Sequence, residues 1–247
     1  MIPTLDFNFG IRKPPGAEKI WALASSLRKQ VLPEKPEHPL EASSIARLCP
    51  RLAINGRVIE VGWDLENRVH DVDGHEVYGV CEIETEALGT VSVSINGPLL
   101  ETRPDLLLST AAHELGHVVF DAPEILSNRC GTRRQYRTAE SAARDFTTAE
   151  TRSEWFANEF MGALLVPALA LHRRLLAHAR EERLETTKTR SLGHPAWPVV
   201  SAGNDPEALA GITDVLAQEF GVSPRFITVR LSQYSLIGGR RSLGDLR

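Results

Sequence analysis

The sequence predicts an α+β fold in which a small antiparallel or mixed sheet precedes a mostly helical C-terminal part. Three observations support this prediction. Runs of β-type composition, separated by turn residues, lie in the first half of the chain. A strongly apolar helical segment follows them, and the long periodic segments after it have helical spacing. The chain has 247 residues and 42% hydrophobic content, which is enough for one large domain or a compact pair.

The first elements are predicted from composition and apolar spacing. Residues 1–16 are polar and interrupted by Pro and Gly, and we expect an N-terminal arm there. Apolar residues recur at helical spacing from Ala17 to Val31, which predicts an amphipathic helix. A Pro- and charge-rich linker follows, and a short helix is expected from Leu40 to Leu48.

The sheet is predicted from three β-type runs, which are Arg57 to Leu65, Val77 to Glu84 and Thr90 to Asn96. Turn signals at Asp73-Gly74 and Leu88-Gly89 separate them. The last run alternates apolar and polar residues, which indicates a half-buried strand. It leads into the next helix and packs beneath it in any arrangement. If it also lies at the sheet edge, it can pair with an extended peptide.

The helix after these strands carries the most specific motif of the chain, His113-Glu114-Leu115-Gly116-His117. Residues four apart lie on one face of a helix, so both histidines can direct a ring nitrogen at one metal ion. Zinc is expected, because two imidazoles and a carboxylate with an open fourth position form a catalytic zinc site. Glu114 lies where its carboxylate can accept a proton from water during metal-assisted hydrolysis. Chance is the alternative, but the apolar flanks predict buried histidines, which need a polar partner.

The third ligand is predicted on the next strong helical segment. The third histidine of an xxGxxH extension is absent, and the residue four beyond His117 is Asp121. Glu154 begins a long apolar segment, where it gives the gluzincin pattern of two His on one helix and one Glu on the next. Glu150 and Glu159 are rivals, the first in a more polar run and the second off the helix face of Glu154.

Two further points concern this second helix. Glu154 has an alternative role as an ordinary first-turn glutamate, favoured by the helix dipole. Asn158 lies four residues later on the same face and can hydrogen-bond a ligating histidine. The predicted metal ligands are therefore His113, His117 and Glu154.

These two motifs together resemble the ImmA/IrrE family of zinc metallopeptidases. HELGH is followed at a distance by ExxANxFxxxLLxP, and Thr110 and Ala112 fit the residues that often precede HE in the family. The similarity also covers Thr90 to Leu100 and the C-terminal segment Leu216 to Ser223, which is followed by Arg230-Leu231. The residues that match the second motif are Glu154, Ala157, Asn158, Phe160, Leu164, Leu165 and Pro167.

The chain departs from the family pattern at Asp121, where many members have a histidine, and in a longer connection between the two motifs. The resemblance implies a gluzincin-like zinc metallopeptidase core, with zinc held by His113, His117 and Glu154 and with Glu114 as the general base. It also implies limited, regulatory cleavage of a specific intracellular protein. In this family that protein is typically a helix-turn-helix transcriptional repressor, in a bacterial or phage setting.

The predicted domain organisation follows the order of these elements. Residues 1–16 form the arm, 17–200 the metallopeptidase domain, and 201–247 a C-terminal helix pair packed on that domain. The pair consists of Pro206 to Phe220 and Pro224 to Tyr234, joined by a tight turn, and Ser223 is expected to cap the second helix. It resembles a DNA-reading helix-turn-helix, but its second helix is as apolar as it is basic, so direct nucleic-acid binding is not expected.

The connection from Asp121 to Thr151 is rich in charged and small polar residues. A long connection beside a site often forms a substrate loop; the alternative is a solvated excursion, partly helical near Ala139 to Arg144. Peptide hydrolysis also needs a group that stabilises the oxyanion. The candidates, which the sequence does not rank, are Tyr136, His172, His178 and His194.

Charge and composition exclude several classes of protein. The net charge of −4 is mild, which argues against a general nucleic-acid or membrane-surface binder. Cys49, Cys81 and Cys130 are far apart and odd in number, which fits neither a disulfide framework nor a Cys-rich zinc module. No signal peptide or membrane span is recognisable, so we expect a cytoplasmic protein with a protein substrate and no membrane partner.

Two functions of other classes compete with the peptidase hypothesis. A metal-stabilised module could sequester a regulator without cutting it, and a DNA-binding regulator could use the C-terminal helix pair. Metal content, combined with the fate of a candidate repressor after incubation, distinguishes all three.

Overall fold

The computed structural model of the chain describes residues 2–9, 15–84, 90–127, 133–138, 148–189 and 197–238, with the backbone alone described at 84, 133–135, 137, 148 and 149. The chain divides into two compact units, Met1–Leu165 and Val166–Arg247. The described residues contain nine helices and nine strands, so the α+β prediction is confirmed. The predicted domain boundaries after residues 16 and 200 stay predictions.

The first unit contains one mixed sheet. Its strands are β1 (Thr4–Leu5), β2 (Arg51–Ile54), β3 (Arg57–Asp64), β4 (Gly79–Glu84), β5 (Thr90–Ile95) and β6 (Arg133–Thr138). The strand order is β1-β2-β3-β5-β4-β6. β3 and β5 are parallel, whereas β4 is antiparallel both to β5 and to β6. β1 lies within the predicted N-terminal arm and pairs in parallel with β2.

β5 is an interior strand, so the condition for pairing with a peptide, a position at the sheet edge, is not met. It lies between β3 and β4, and the long-range pairing that places it there leaves no local trace in the sequence. Its predicted alternation is confirmed, since Val91, Val93 and Ile95 are buried while Thr90 and Ser92 are exposed. The predicted turn at Leu88-Gly89 lies outside the described residues.

The turn predicted at Asp73-Gly74 is confirmed. Gly74 has a φ of +82°, a left-handed conformation that glycine adopts without steric cost. Asp71 Oδ1 accepts hydrogen bonds from the backbone N–H groups of Asp73 and His75, at 3.0 and 2.9 Å. Asp71, Asp73 and His75 form a group of possible metal ligands, two of them exposed, and the backbone already uses one carboxylate oxygen.

Six helices accompany the sheet in the first unit. They are α1 (Ala17–Val31), α2 (Ala42–Leu48), α3 (Gly97–Leu100), α4 (Pro104–Phe120), α5 (Ala122–Ser127) and α6 (Thr148–Leu165). α1 has the predicted bounds. α6 packs against both α4 and α1, so it is held on two sides.

Arg28 connects the linker after α1 to the C-terminal end of α6 through hydrogen bonds. Its side chain is buried, and its guanidinium donates hydrogen bonds to the backbone carbonyls of Pro36, His38 and Leu164. Burial lowers the pKa of the Arg28 guanidinium to about 10. The carbonyls satisfy its donors, which fixes the C-terminal end of α6 within this unit.

The second unit combines three helices with a small sheet. Its elements are α7 (Ala168–Glu181), β7 (Thr186–Thr189), β8 (Trp197–Ser201), α8 (Pro206–Phe220), α9 (Pro224–Gln233) and β9 (Ile237–Gly238). The prediction of a mostly helical C-terminal part holds, and α8 and α9 match the predicted helix pair to within one residue. The sheet, ordered β7-β8-β9, was not predicted, because its short runs pair with each other only over a distance.

Within the described residues, no single helix is long and apolar enough to cross a membrane. Two consecutive segments, Glu150–Leu165 and Ala168–Glu181, have the length and apolar composition of a span only when taken together.

Candidate metal centre

α4 holds the two histidines at fixed and buried positions. The helix starts with Pro104 and has Asp105 in its first turn, both of which are favoured at a helix N-terminus. Farther along, His113 is 6% exposed, and Glu114 and His117 are fully buried. The predicted burial of the motif is therefore confirmed, and one turn of helix brings both imidazoles to the same face.

A glycine allows α6 to approach this part of α4 closely. A Cβ added at Gly116 would lie 2.7 Å from the Cα of Ala157, closer than real Cβ atoms come, and 3.0 Å from the Cβ of Ala157. The motif residue Gly116 therefore has a packing role. It lets the helix that carries Glu154 lie directly against the helix that carries the histidines.

The structure brings together the three residues predicted as metal ligands. Nε2 of His113 and Nε2 of His117 are 3.1 Å apart. Glu154 Oε2 lies 3.3 Å from His113 Nε2, and Glu154 Oε1 lies 3.5 Å from His117 Nε2. Corners of a tetrahedron with bonds of about 2.0–2.1 Å are about 3.3–3.4 Å apart. Two nitrogens and a carboxylate with this spacing fit one ion of zinc's size and preference.

The two rival glutamates lie elsewhere. Glu159 is buried, but its Oε2 accepts a hydrogen bond of 2.7 Å from Trp21 Nε1 on α1, so its carboxylate is used between α1 and α6. Glu150 is exposed in the first turn of α6. Of the three, Glu154 alone groups with His113 and His117.

Asp121 orients the second histidine. His117 Nδ1 lies 2.8 Å from Asp121 Oδ2, and the hydroxyl of Ser153 donates to the same carboxylate oxygen at 2.7 Å. A carboxylate accepts only, so Nδ1 carries the proton and Nε2 keeps its lone pair for a metal. The hydrogen bond expected from Asn158 to a ligating histidine stays a prediction, and Asn158 lies at an exposed position on α6.

The charges around the histidines shift the pKa values of two groups. Burial lowers the pKa of His117, but the hydrogen bond with Asp121 and the nearby carboxylates outweigh burial and raise it overall. Burial raises the pKa of Glu154, but the hydrogen bond with His113 and both imidazoles outweigh it and lower it overall. The surroundings therefore favour the ionised form of Glu154, which is the form that binds a metal.

Glu114 lies beside the three ligands with its two oxygens in different surroundings. Oε1 accepts a hydrogen bond of 2.7 Å from the hydroxyl of Thr138, while Oε2 is buried and has no hydrogen-bond partner among the described residues. Burial raises the pKa of Glu114, and His113, His117 and Thr138 oppose that rise without cancelling it. A buried carboxylate with an open oxygen is suited to accept and return a proton.

Tyr136 is the oxyanion candidate that the structure places at this centre. Its ring stacks on His117 with 4.2 Å between ring centroids and 17° between the planes. His172 and His178 make hydrogen bonds within the second unit, to the carbonyl of Pro198 and to Glu219. The fourth candidate, at 194, and the predicted helical stretch at 139–144 lie outside the described residues.

The sequence prediction missed three residues that contact the centre. Ser153 directly precedes Glu154, and Asp121 lies four residues after His117, so helical spacing could have found both partners. Thr138 and the stacking of Tyr136 could not have been found in this way. They come from β6, whose polar composition gave no strand signal.

Comparison with known sequences gives one result for a family and one for individual proteins. Residues 103–232 match the family model of the IrrE N-terminal-like domain. The matched range includes α4, α6 and the helix pair α8 and α9. No curated protein matches the chain.

Proposed function

The chain belongs to the ImmA/IrrE family of metallopeptidases, whose domain model covers over half of its length, and on that basis we propose that it is a zinc-dependent endopeptidase with a gluzincin-like core. The observation that carries the proposal is the convergence of His113, His117 and Glu154 on one point. Glu114 is buried beside them, and one of its oxygens has no hydrogen-bond partner among the described residues, so it supplies the second requirement for hydrolysis, a proton acceptor.

The three ligands would hold the ion through Nε2 of each histidine and through the Glu154 carboxylate. When bound, zinc supplies Lewis acidity, which lowers the pKa of water toward about 7 and polarises a peptide carbonyl. Asp121 and Ser153 support this by keeping His117 in the tautomer whose Nε2 can bind metal. Packing between α4 and α6 holds both parts of the ligand set before any ion arrives.

Glu114 acts as the general base and then as the general acid. Its Oε2 accepts a proton from the attacking water, whose oxygen forms a bond to the carbonyl carbon. The C–N bond then breaks as the same proton passes from Glu114 to the leaving amine nitrogen. A raised pKa suits this role, because the carboxyl must hold the proton between the two steps.

We assign limited, regulatory cleavage of a specific protein inside the cell, with a helix-turn-helix transcriptional repressor as the substrate class. Support comes from the ImmA/IrrE family and not from the geometry of the centre. An enzyme of this kind is expected to leave unfolded proteins such as casein largely intact.

The test is an incubation of the zinc-loaded protein with candidate helix-turn-helix repressors from the same genome, followed by mass spectrometry of the products. We expect one new cleavage site in one repressor and none with the Glu114→Gln variant, which should still bind zinc. Cleavage that persists in Glu114→Gln would contradict the assignment of the base. Rapid degradation of casein would contradict regulatory specificity.

The same incubation addresses the two competing functions. A stable, uncut complex with the repressor would indicate a sequestering module, and a DNA mobility shift by the protein alone would indicate a DNA-binding regulator. The helix pair gives the second of these no support. Of the two arginines of α9, Arg225 alone is exposed, because Arg230 is buried with its guanidinium 5.6 Å from the ring centre of Phe226.

A further inference from the structure

The base of the proposed reaction is engaged by the chain itself. Thr138, the last residue of β6, donates its hydroxyl to Glu114 Oε1 at 2.7 Å. Two residues earlier on the same strand, the ring of Tyr136 covers one face of His117. Alternate residues of a strand project to the same side, so one face of β6 lies on both the base and a ligand.

The backbone of β6 occupies the outer edge of β4. The two strands are antiparallel over six residue pairs, from Gly79↔Thr138 to Glu84↔Arg133. The inner edge of β4 is taken by β5, so β6 fills the remaining one.

This edge lies directly beside the centre. A Cβ added at Gly79 would lie 2.5 Å from Thr110 Cγ2 and 3.2 Å from Glu114 Oε1, so β4 and α4 touch at this point. A polypeptide that pairs with the outer edge of β4 at Gly79 therefore passes Glu114. Addition of an extended peptide to a sheet edge supplies backbone hydrogen bonds without requiring a particular sequence.

We propose that β6 is an internal inhibitor of the proposed peptidase: it occupies the outer edge of β4, and an extended segment of the substrate must replace it there, antiparallel to β4. The inference rests on the proposed peptidase function and adds a regulation of that site. Thr138 and Tyr136 hold the places that substrate groups take beside Glu114 and His117, so in this proposal Tyr136 is not the group that stabilises the oxyanion.

Competition between β6 and the substrate also has a consequence for selectivity. A peptide must compete for the outer edge of β4 with β6, which belongs to the same chain and is therefore present at high effective concentration. Weakly pairing, unfolded polypeptides do not displace it, whereas a segment held in place by further contacts with the enzyme does.

The test locks β6 onto β4 with a reversible disulfide. Glu82 and Gln135 are paired positions, so Glu82→Cys with Gln135→Cys tethers the strands while Tyr136 and Thr138 stay unchanged. The matched control, Arg51→Cys with Glu60→Cys, places a disulfide between β2 and β3. Calorimetry on zinc-loaded protein measures the Kd of acetohydroxamate, which needs only the metal, and of a tetrapeptide hydroxamate, which also needs a sheet edge.

We expect the oxidised tether to raise the Kd of the tetrapeptide hydroxamate by roughly tenfold or more and to change the Kd of acetohydroxamate by less than about twofold. Reduction of the disulfide should restore the original Kd of the tetrapeptide hydroxamate. An equal Kd of the tetrapeptide hydroxamate in the oxidised and reduced forms would overturn the replacement of β6 by substrate, while leaving the peptidase centre intact. If neither hydroxamate binds any zinc-loaded form, both the proposed peptidase centre and the replacement of β6 by substrate are contradicted.

A second variant tests the proposal in the opposite direction without a disulfide. Thr138→Val keeps the shape of the side chain but removes its hydrogen bond to Glu114, so a peptide should displace β6 from β4 more easily. The tetrapeptide hydroxamate should then bind about threefold more tightly or better. An unchanged or weaker Kd in this variant would count against β6 as the occupant.

Discussion

Asp121 Oδ2 lies 2.8 Å from Nδ1 of His117, at the position where many ImmA/IrrE proteins have a histidine. Ser153 donates a hydrogen bond to the same carboxylate oxygen, so the carboxylate connects the end of α4 to the start of α6 next to Glu154. The residue that departs from the family pattern therefore supports a metal ligand.

Removing this carboxylate should weaken metal binding. Without Asp121, the proton on His117 is no longer held at Nδ1, and the ring loses its orientation. Asp121→Ala should raise the zinc Kd by about 10–100-fold, measured by competition with a chelating dye. Asp73→Ala, in the exposed turn after β3, is the matched control and should leave the Kd of this site unchanged. Equal Kd values in the two variants would rule out the orienting role of Asp121.

The close approach of α4 and α6 makes Gly116 sensitive to a single methyl group. Gly116→Ala places a Cβ 2.7 Å from the backbone of Ala157, which forces the helices apart and costs roughly 1–3 kcal/mol of stability. The thermal midpoint should fall, and the zinc Kd should rise because Glu154 moves with α6. Gly211→Ala on α8 is the control, since nothing lies within 4 Å of its added Cβ. It should be neutral or stabilising by up to about 1 kcal/mol, and a similar loss in both variants would contradict the packing argument.

Glu219 should stabilise the second unit in a pH-dependent way. It accepts hydrogen bonds from Arg174 at 3.0 Å and from His178 at 2.9 Å. Burial raises the pKa of Glu219, but these partners outweigh it and hold the pKa below its ordinary value of 4.5. A carboxyl with a depressed pKa stabilises the fold above its ordinary pKa, and the effect is lost as the pH falls through the lower, folded-state value.

Glu219→Gln should therefore lower the free energy of unfolding by about 0.2–1 kcal/mol at pH 7, and the difference from the wild type should vanish at acidic pH below the folded-state pKa. Urea unfolding followed by circular dichroism at several pH values measures this. Glu181→Gln is the control, because Glu181 is 72% exposed and 3.4 Å from His178. A Glu219→Gln effect that persists unchanged into acid would show that charge is not its cause.

The sequence predicted those features that depend on local spacing. His113, His117 and Glu154 follow from helical periodicity and from the family motifs, and the bounds of α1 and of the helix pair follow from apolar spacing and caps. Ser223 illustrates the latter, since its side chain caps α9 by accepting from the N–H of Phe226. Each of these signals lies within a few residues of its effect, except that for Glu154, which comes from the second family motif.

Features that depend on distant pairing could not be predicted. β6 is polar and pairs with β4 from some fifty residues away, so neither Tyr136 nor Thr138 carries a local sign of its position at the centre. The interior place of β5 and the small sheet of the second unit have the same origin. In each case the strand is defined by its partner and not by its own periodicity.

The most direct measurement is the zinc affinity of two glutamate variants that lie one helical turn apart on α6. Glu154→Gln removes a proposed ligand, whereas Glu150→Gln removes an exposed glutamate from the same helix. Competition with a chelating dye should give a zinc Kd about 100-fold weaker for Glu154→Gln and unchanged for Glu150→Gln. If Glu154→Gln binds zinc as tightly as Glu150→Gln does, the centre formed by His113, His117 and Glu154 is not the metal site of this protein.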